Sequence, residues 1–218
     1  MAALVHDLRT PMCAAAGAAQ MALNAGGRDV SAQLHQILQA VGAMDRMLTM
    51  MSEEQACSSI FTGEMLHREL LAIAGNRAEE KAQRLSIDLS ALGDVTLEAD
   101  YAALCRLLSN LVGNAIKYTQ TGGEITVRAQ MENGWHGHNR VRFIVADNGA
   151  GMTKEFMRRM FEPFARAKET EQIQGSGLGL AIVRDMVKRL GGNLRVHSER
   201  GKGTRFVVNV PVRIRRIS

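Results

Sequence analysis

Trp and Tyr together supply three of the 218 residues, so there are few flat side chains on which nucleic-acid bases could stack. A net charge of +5 invites a phosphate-backbone reading. The basic residues are scattered, however, and cluster only as Arg213, Arg215 and Arg216 near the end of the sequence. A solvated basic surface is therefore expected, and no nucleic-acid partner. Cysteine is also scarce: Cys13, Cys57 and Cys105 are odd in number and far apart, without CxxC or Cys/His ligand spacing. That excludes a disulfide framework and a zinc site, and points to a reducing, cytoplasmic setting. Nor is there an apolar run approaching the ~18–20 residues of a membrane span, so no membrane segment is expected in this chain. A secretory leader is not expected either, because the N-terminus enters an Ala-rich helical pattern at once. The 46% apolar and 22% charged content is that of a globular protein, long enough for one ordinary domain and a smaller one.

Two helices are predicted over 1–24 and 31–52, joined by the helix-stopping Asn24-Ala25-Gly26-Gly27. In the second, Leu34, Ile37, Val41, Met44, Leu48 and Met51 recur at spacings of three and four, an a/d seam. Val5, Leu8, Met12, Ala15 and Ala19 continue the seam in the first. Such narrow apolar stripes bury little alone, but two copies paired as a four-helix bundle would cover both. A homodimer is the expectation. A polar stretch at 52–62 reads as a linker.

Beyond it the pattern is mixed. Helices are predicted at about 63–82, 100–118, 153–160 and 178–190. Strands are predicted at 85–89, 95–97, 124–130, 141–146, 193–198 and 204–210. The expected architecture is α+β and multidomain: a helical hairpin over 1–55, then an α/β sandwich over 60–218 with helices on one face of a mixed sheet.

Chemistry first shows in His6-Asp7-Leu8-Arg9-Thr10-Pro11-Met12. With Val5 and Leu8 on the seam, His6 is one step off it and faces solvent. An imidazole of pKa ~6.5 is mostly neutral at pH 7, with a lone pair free for attack on phosphorus. Asp7 can orient the ring or accept the proton released. Pro11 in mid-helix removes a hydrogen bond to the Asp7 carbonyl at a cost of ~3 kcal/mol, which calls for a reason. Thr10 lies four residues on, on the face of His6. His35, His67, His136, His138 and His197 have no comparable context and read as surface residues. The string resembles the H-box of sensor histidine kinases.

Five further segments follow in order. Asn110-Leu111-Val112-Gly113-Asn114-Ala115-Ile116-Lys117-Tyr118-Thr119 places 110, 114 and 117 on one helix face. That face presents two amide carbonyls and an ammonium, which suits Mg²⁺ and phosphate oxygens. Asp147-Asn148-Gly149-Ala150-Gly151-Met152 follows a strand. A carboxylate there can accept from an adenine amino group, and Gly149 and Gly151 let the backbone approach the base. Phe161-Glu162-Pro163-Phe164 precedes a polar loop at about 165–177. Gly175-Ser176-Gly177-Leu178-Gly179-Leu180 then opens a helix whose free N–H groups can hold phosphate oxygens. It is neither a P-loop nor a dinucleotide fingerprint, lacking the Lys-Ser/Thr of the first and the preceding strand of the second. Gly203-Thr204-Arg205-Phe206 stands before the final strand.

These segments resemble the ATP-binding domain shared by histidine kinases, type II topoisomerases, mismatch-repair ATPases and a heat-shock chaperone class. With the H-box, the resemblance runs from residue 6 to 206. It implies an ATP- and Mg²⁺-dependent autokinase that phosphorylates His6, with Asp7, Thr10 and Arg166 assisting. It implies that Asn114 ligates the metal. It places Asn110, Lys117, Tyr118, Asp147, Gly149, Gly151, Phe164, Gly175, Gly177, Leu178, Gly179 and Thr204 around the nucleotide. The implied partner is the receiver domain of a response regulator, with phosphatase activity towards it in view. A sensor or membrane region upstream is expected to lie outside this chain. An ATPase module or a serine kinase of the same superfamily would lack the H-box. A nucleotide-binding scaffold would not need Asn114, Lys117 and Asp147.

Overall fold

The computed structural model describes residues 2–23, seven positions between 33 and 44, and residues 58–93, 95–132, 139–167 and 177–215. It divides into two compact units, Met1–Ala56 and Cys57–Ser218.

In the first unit, helix α1 spans Ala2–Leu23 and continues through Pro11. Residues 33–34, 36–37, 40–41 and 44 are also helical. Ala18 and Ala40 are buried, while Met12, Leu34 and Val41 of the expected seam remain exposed. Leu48 and Met51 lie outside the described residues, as does the Asn24–Val30 turn.

The second unit begins with a strand that the polar 52–62 stretch concealed. Strand β1, Ser59–Thr62, pairs antiparallel with β3, Thr96–Ala99. It forms because Phe61 is driven into the core, where it is 1% exposed and meets the Tyr101 ring at 4.9 Å. Thr62 then caps helix α2, Gly63–Glu79, by accepting from the Met65 N–H at 3.3 Å. Leu66, Leu70, Ala74 and Ala78 form its buried stripe, one residue per turn.

Helix α2 ends three residues before the expected boundary. The chain turns through Ala82, at φ 50°, into strand β2, Arg84–Asp88. Helix α3, Tyr101–Tyr118, is capped by Asp100, which accepts from the Ala103 N–H at 3.0 Å. Eight of its residues, including Leu104, Leu107, Leu108 and Leu111, are buried. The remaining elements are β4 (Glu124–Glu132), β5 (Asn139–Asp147), α4 (Lys154–Arg159), α5 (Gly179–Arg189), β6 (Asn193–Glu199) and β7 (Gly203–Arg215).

The seven strands make one mixed sheet in the order β1-β3-β7-β5-β4-β2, with β6 also alongside β7. Only β2 and β4 pair in parallel; the other pairs are antiparallel. Ile125, Val127, Val141, Phe143, Val145, Val208 and Val210 are buried on one face of the sheet. They join α2, α3 and α5 in one core, with α3 between the other two helices. A half-buried ion pair braces that layer: Arg189 Nε lies 2.7 Å from Asp100 Oδ2, tying the end of α5 to the cap of α3.

Candidate functional site

The site lies where β5 stops. Register places Asp147 beside Ile125 of β4 on one side and Thr204 of β7 on the other. Its Oδ1 accepts the Gly149 N–H at 2.9 Å. Burial pushes the Asp147 carboxyl above its ordinary 3.8, against the pull of backbone N–H bonds from Gly149 and Thr204. A carboxylate held this way retains oxygen lone pairs for a ligand donor.

Gly149 is required by close approach. A Cβ there would lie 2.5 Å from the Tyr118 carbonyl and 2.9 Å from both Asp147 Oδ1 and Thr119 Oγ1. The Ala150 N–H bonds the same Tyr118 carbonyl at 3.1 Å, so the loop after β5 is stitched to the end of α3. Gly151 packs under the Glu199 carbonyl. The Thr204 hydroxyl lies 2.9 Å from Ser198 Oγ, which also accepts the Met152 N–H at 2.8 Å.

On α3, Asn110, Asn114 and Lys117 share a face, as their spacing requires. Asn110 donates through Nδ2 to the Arg106 carbonyl at 2.7 Å. A Cβ on Gly179 would lie 3.4 Å from Asn110 Oδ1 and 3.5 Å from both amide atoms of Asn114. The first turn of α5 therefore abuts the two asparagines, and its unsatisfied N–H groups carry roughly half a positive charge to that point. Lys117 Nζ stands over the Tyr118 ring, 4.7 Å from its centroid.

Metal fit can be tested on the donor set. No cluster of three or more His, Cys, Asp or Glu suitable for a metal exists among the described residues. An amide oxygen beside a helix N-terminus suits a hard cation that takes most of its ligands from phosphate and water. Asn114 and Asn110 fit that requirement.

Sequence reasoning missed three supports. Lys81 Nζ donates to the Ile116, Lys117 and Thr119 carbonyls at 2.8, 3.1 and 3.4 Å. Gln83 Nε2 donates to Ile116 and Thr119 at 3.1 and 2.7 Å. Together they satisfy the carbonyls that end α3 and fix the backbone of Tyr118. The third is a pinch between Phe164 and Gly177. Phe164 has φ 65°, and its N–H bonds the Gly177 carbonyl at 3.1 Å. Gly177 has φ +72°, with Phe164 backbone 2.7 Å from where a Cβ would be. Leu178 caps α5 without a side-chain bond. The Arg166 carbonyl accepts from the Arg159 guanidinium at 3.1 Å. Gly175 lies outside the described residues. His6, Asp7 and Thr10 sit on α1, in the other unit.

A half-buried carboxylate in a glycine-lined loop, beside an asparagine-bearing helix that faces a helix N-terminus, defines a class. Residues 99–214 match the family described as histidine kinase-, DNA gyrase B- and HSP90-like ATPase, and the chain belongs to that family. Within it, the chain is 32% identical over 228 residues to the non-motile and phage-resistance protein of Caulobacter vibrioides, covering 98% of this chain and 27% of that protein. It is 31% identical to the autoinducer 2 sensor kinase/phosphatase LuxQ of Vibrio parahaemolyticus, covering 99% of this chain and 26% of LuxQ. The chain thus spans about a quarter of these relatives' length. Among solved structures, full-length ShkA in complex with AMPPNP aligns with 99% of this chain and 46% of that one, at TM-score 0.65 and 27% identity. The mycobacterial sensor histidine kinase MprB aligns with 72% of this chain and 99% of that one, at TM-score 0.57 and 26% identity.

Proposed function

We propose that this chain is the catalytic core of a dimeric histidine autokinase that phosphorylates His6 from ATP and passes the phosphoryl group to an aspartate of a response regulator receiver domain. One observation carries the reading: Asp147 in its glycine cradle and the meeting of Asn110 and Asn114 with the α5 N-terminus form two ends of one site, on a chain that also bears the His6 motif.

Asp147 accepts from the adenine amino group, and Tyr118 and Gly149 border the base. Asn110, Lys117 and the first turn of α5, from Leu178 and Gly179, hold the phosphates. Asn114 would ligate Mg²⁺, which on binding would neutralise phosphate charge and orient the γ-phosphoryl group. Phe164, Gly175 and Gly177 also border the nucleotide. Arg166 contributes charge neutralisation as transfer proceeds. A nitrogen lone pair of His6 attacks the γ-phosphorus; the new N–P bond forms as the bond to the β–γ bridging oxygen breaks, and ADP leaves. Asp7 orients the imidazole or takes its proton. Positioning supplies most of the rate enhancement, because the nucleophile needs little activation.

The exposed seam residues Met12, Leu34 and Val41 favour dimerisation through the first unit. Phosphatase activity towards the receiver is part of the proposal, with Thr10 as the residue that orients the attacking water; the double name of the LuxQ relative supports it. The setting is the cytoplasm, as a free protein or as the inner part of a membrane sensor. No helix among the described residues is long and apolar enough to cross a membrane.

The test is incubation with γ-labelled ATP and Mg²⁺, followed by acid and base treatment of the labelled protein. Label lost in acid and retained in base is expected of phosphohistidine. An acid-stable phosphoester, or no label at all, would sink the proposal.

A further inference from the structure

We infer that Thr119 is a base-reading residue, partner to Asp147 in recognising the adjacent donor and acceptor on the edge of an adenine ring; the inference rests on the nucleotide reading above. Thr119 is 2% exposed, yet its Oγ1 is buried with no hydrogen-bond partner. Buried hydroxyls normally find one, since leaving them unmade costs stability. The other hydroxyl near Asp147 is unlike it: Thr204 is already engaged with Ser198 at 2.9 Å.

Placement gives the orphan its meaning. Thr119 Oγ1 and Asp147 Oδ1 both lie 2.9 Å from the point where a Cβ on Gly149 would stand. A hydroxyl donor and a carboxylate acceptor therefore converge beside one bare backbone position. Adenine presents a matching pair on neighbouring atoms, the exocyclic amino group as donor and ring N1 as acceptor. Asp147 serves the first. Thr119 donates to the second, directly or through one water. Guanine carries the reverse pattern, an oxygen acceptor beside a ring N–H, and would set its acceptor against the carboxylate.

The backbone is built to hold Thr119 still. Its carbonyl accepts from Lys81 at 3.4 Å and Gln83 at 2.7 Å, and its N–H bonds the Ala115 carbonyl at 3.0 Å. Its methyl group fills the space against Gly123, where a Cβ would come within 2.3 Å. So the side chain cannot turn away, and the hydroxyl stays beside Asp147.

The experiment compares the full chain with Thr119→Val and Thr119→Ser by calorimetric titration with ATP and by thermal denaturation without nucleotide. Valine keeps the shape and removes the hydroxyl. It should weaken ATP roughly threefold to tenfold, the worth of one hydrogen bond. Without nucleotide its Tm should be unchanged or raised by roughly 1–4 °C, because a buried hydroxyl without a partner is removed. Thr119→Ser keeps the hydroxyl but not the methyl that holds it in place, and should lose less affinity than valine. A valine variant that binds ATP like the parent overturns the inference. So does one whose Tm falls along with its affinity, for then the hydroxyl serves the fold. If the parent chain itself fails to bind ATP, the nucleotide reading fails, and this inference with it.

Discussion

Gly203 at the first position of β7 and Gly201 in the β6–β7 turn stand two residues apart and make a controlled experiment. Both have positive φ, 96° and 79°, so alanine at either takes on left-handed strain of ~1–2 kcal/mol. Their surroundings differ. A Cβ on Gly201 meets nothing within 4 Å, whereas one on Gly203 would lie 2.0 Å from the Asp147 carbonyl oxygen and 2.8 Å from Asn148 Cα. Backbone cannot yield as a flexible side chain does, so Gly203→Ala adds an overpacking cost of ~1–3 kcal/mol. The expected totals are ~1–2 kcal/mol for Gly201→Ala and ~2–5 kcal/mol for Gly203→Ala. At ~2–4 °C per kcal/mol for a chain of this size, Tm should fall by roughly 2–8 °C and 4–20 °C respectively. The functional split is sharper than the thermal one. Relief at Gly203 must push the end of β5 away, taking Asp147 with it, while relief at Gly201 moves only the turn. Thermal denaturation and calorimetric titration with ATP, on both variants, read the two effects. Gly203→Ala should lose most of its nucleotide affinity and Gly201→Ala little. Equal losses of affinity would refute the argument that contact with the Asp147 backbone, rather than backbone strain, sets the cost.

Because burial raises the Asp147 carboxyl above 3.8, the folded state binds that proton more tightly than the unfolded chain. Its contribution to stability therefore falls as pH rises from 3.8 through the folded pKa, while ATP affinity, which needs the carboxylate, rises over the same window. Titrations in mildly acidic buffers should reveal both trends, and Asp147→Asn should weaken ATP and abolish the Asp147-linked part of the pH dependence. His6→Gln should end self-labelling yet leave ATP affinity intact; a parallel loss of affinity would contradict separate units. A fragment starting at Cys57, which keeps β1 whole, should be monomeric by light scattering and still bind ATP. Thr10→Ala should hold self-labelling within a few-fold while dephosphorylation of a phosphorylated receiver drops sharply; equal effects on both rates would remove the separate role of Thr10.

Periodicity made most of the second unit legible. Helix α3 announces itself through Leu104, Leu107, Leu108 and Leu111 with Asp100 as cap, and β5 through Val141, Phe143 and Val145. What periodicity missed was short or depended on distant partners. Strand β1 has four residues, one of them fully buried, after a polar run. Nothing in Ser58–Thr62 alone says that Phe61 will meet Tyr101. The sheet order is equally hidden, since β3 and β7 pair across more than a hundred residues. Helix α2 stops at Glu79 because Lys81 and Gln83 are drawn to the carbonyls ending α3, and their sequence reads as more helix.

The candidate site divides along the same line, and the division bears on how it works. Its motif residues are those whose chemistry is local: amides at helical spacing, a carboxylate before glycines. Its supports are through-space and carry no motif. Around Asp147 the supports are many: Ala150 to the Tyr118 carbonyl, Gly201 to the Ala150 carbonyl, Lys81 and Gln83 to the end of α3. That end is preorganised, and ordering it costs a ligand little. Towards the start of α5, the Phe164 N–H bonds the Gly177 carbonyl, with both residues at positive φ. Phe164 is not a glycine, so its φ of 65° stores strain that a β or helical conformation would release. A strained pair at one end and a cross-braced anchor at the other place the preorganisation of the candidate site around Asp147 rather than at the start of α5.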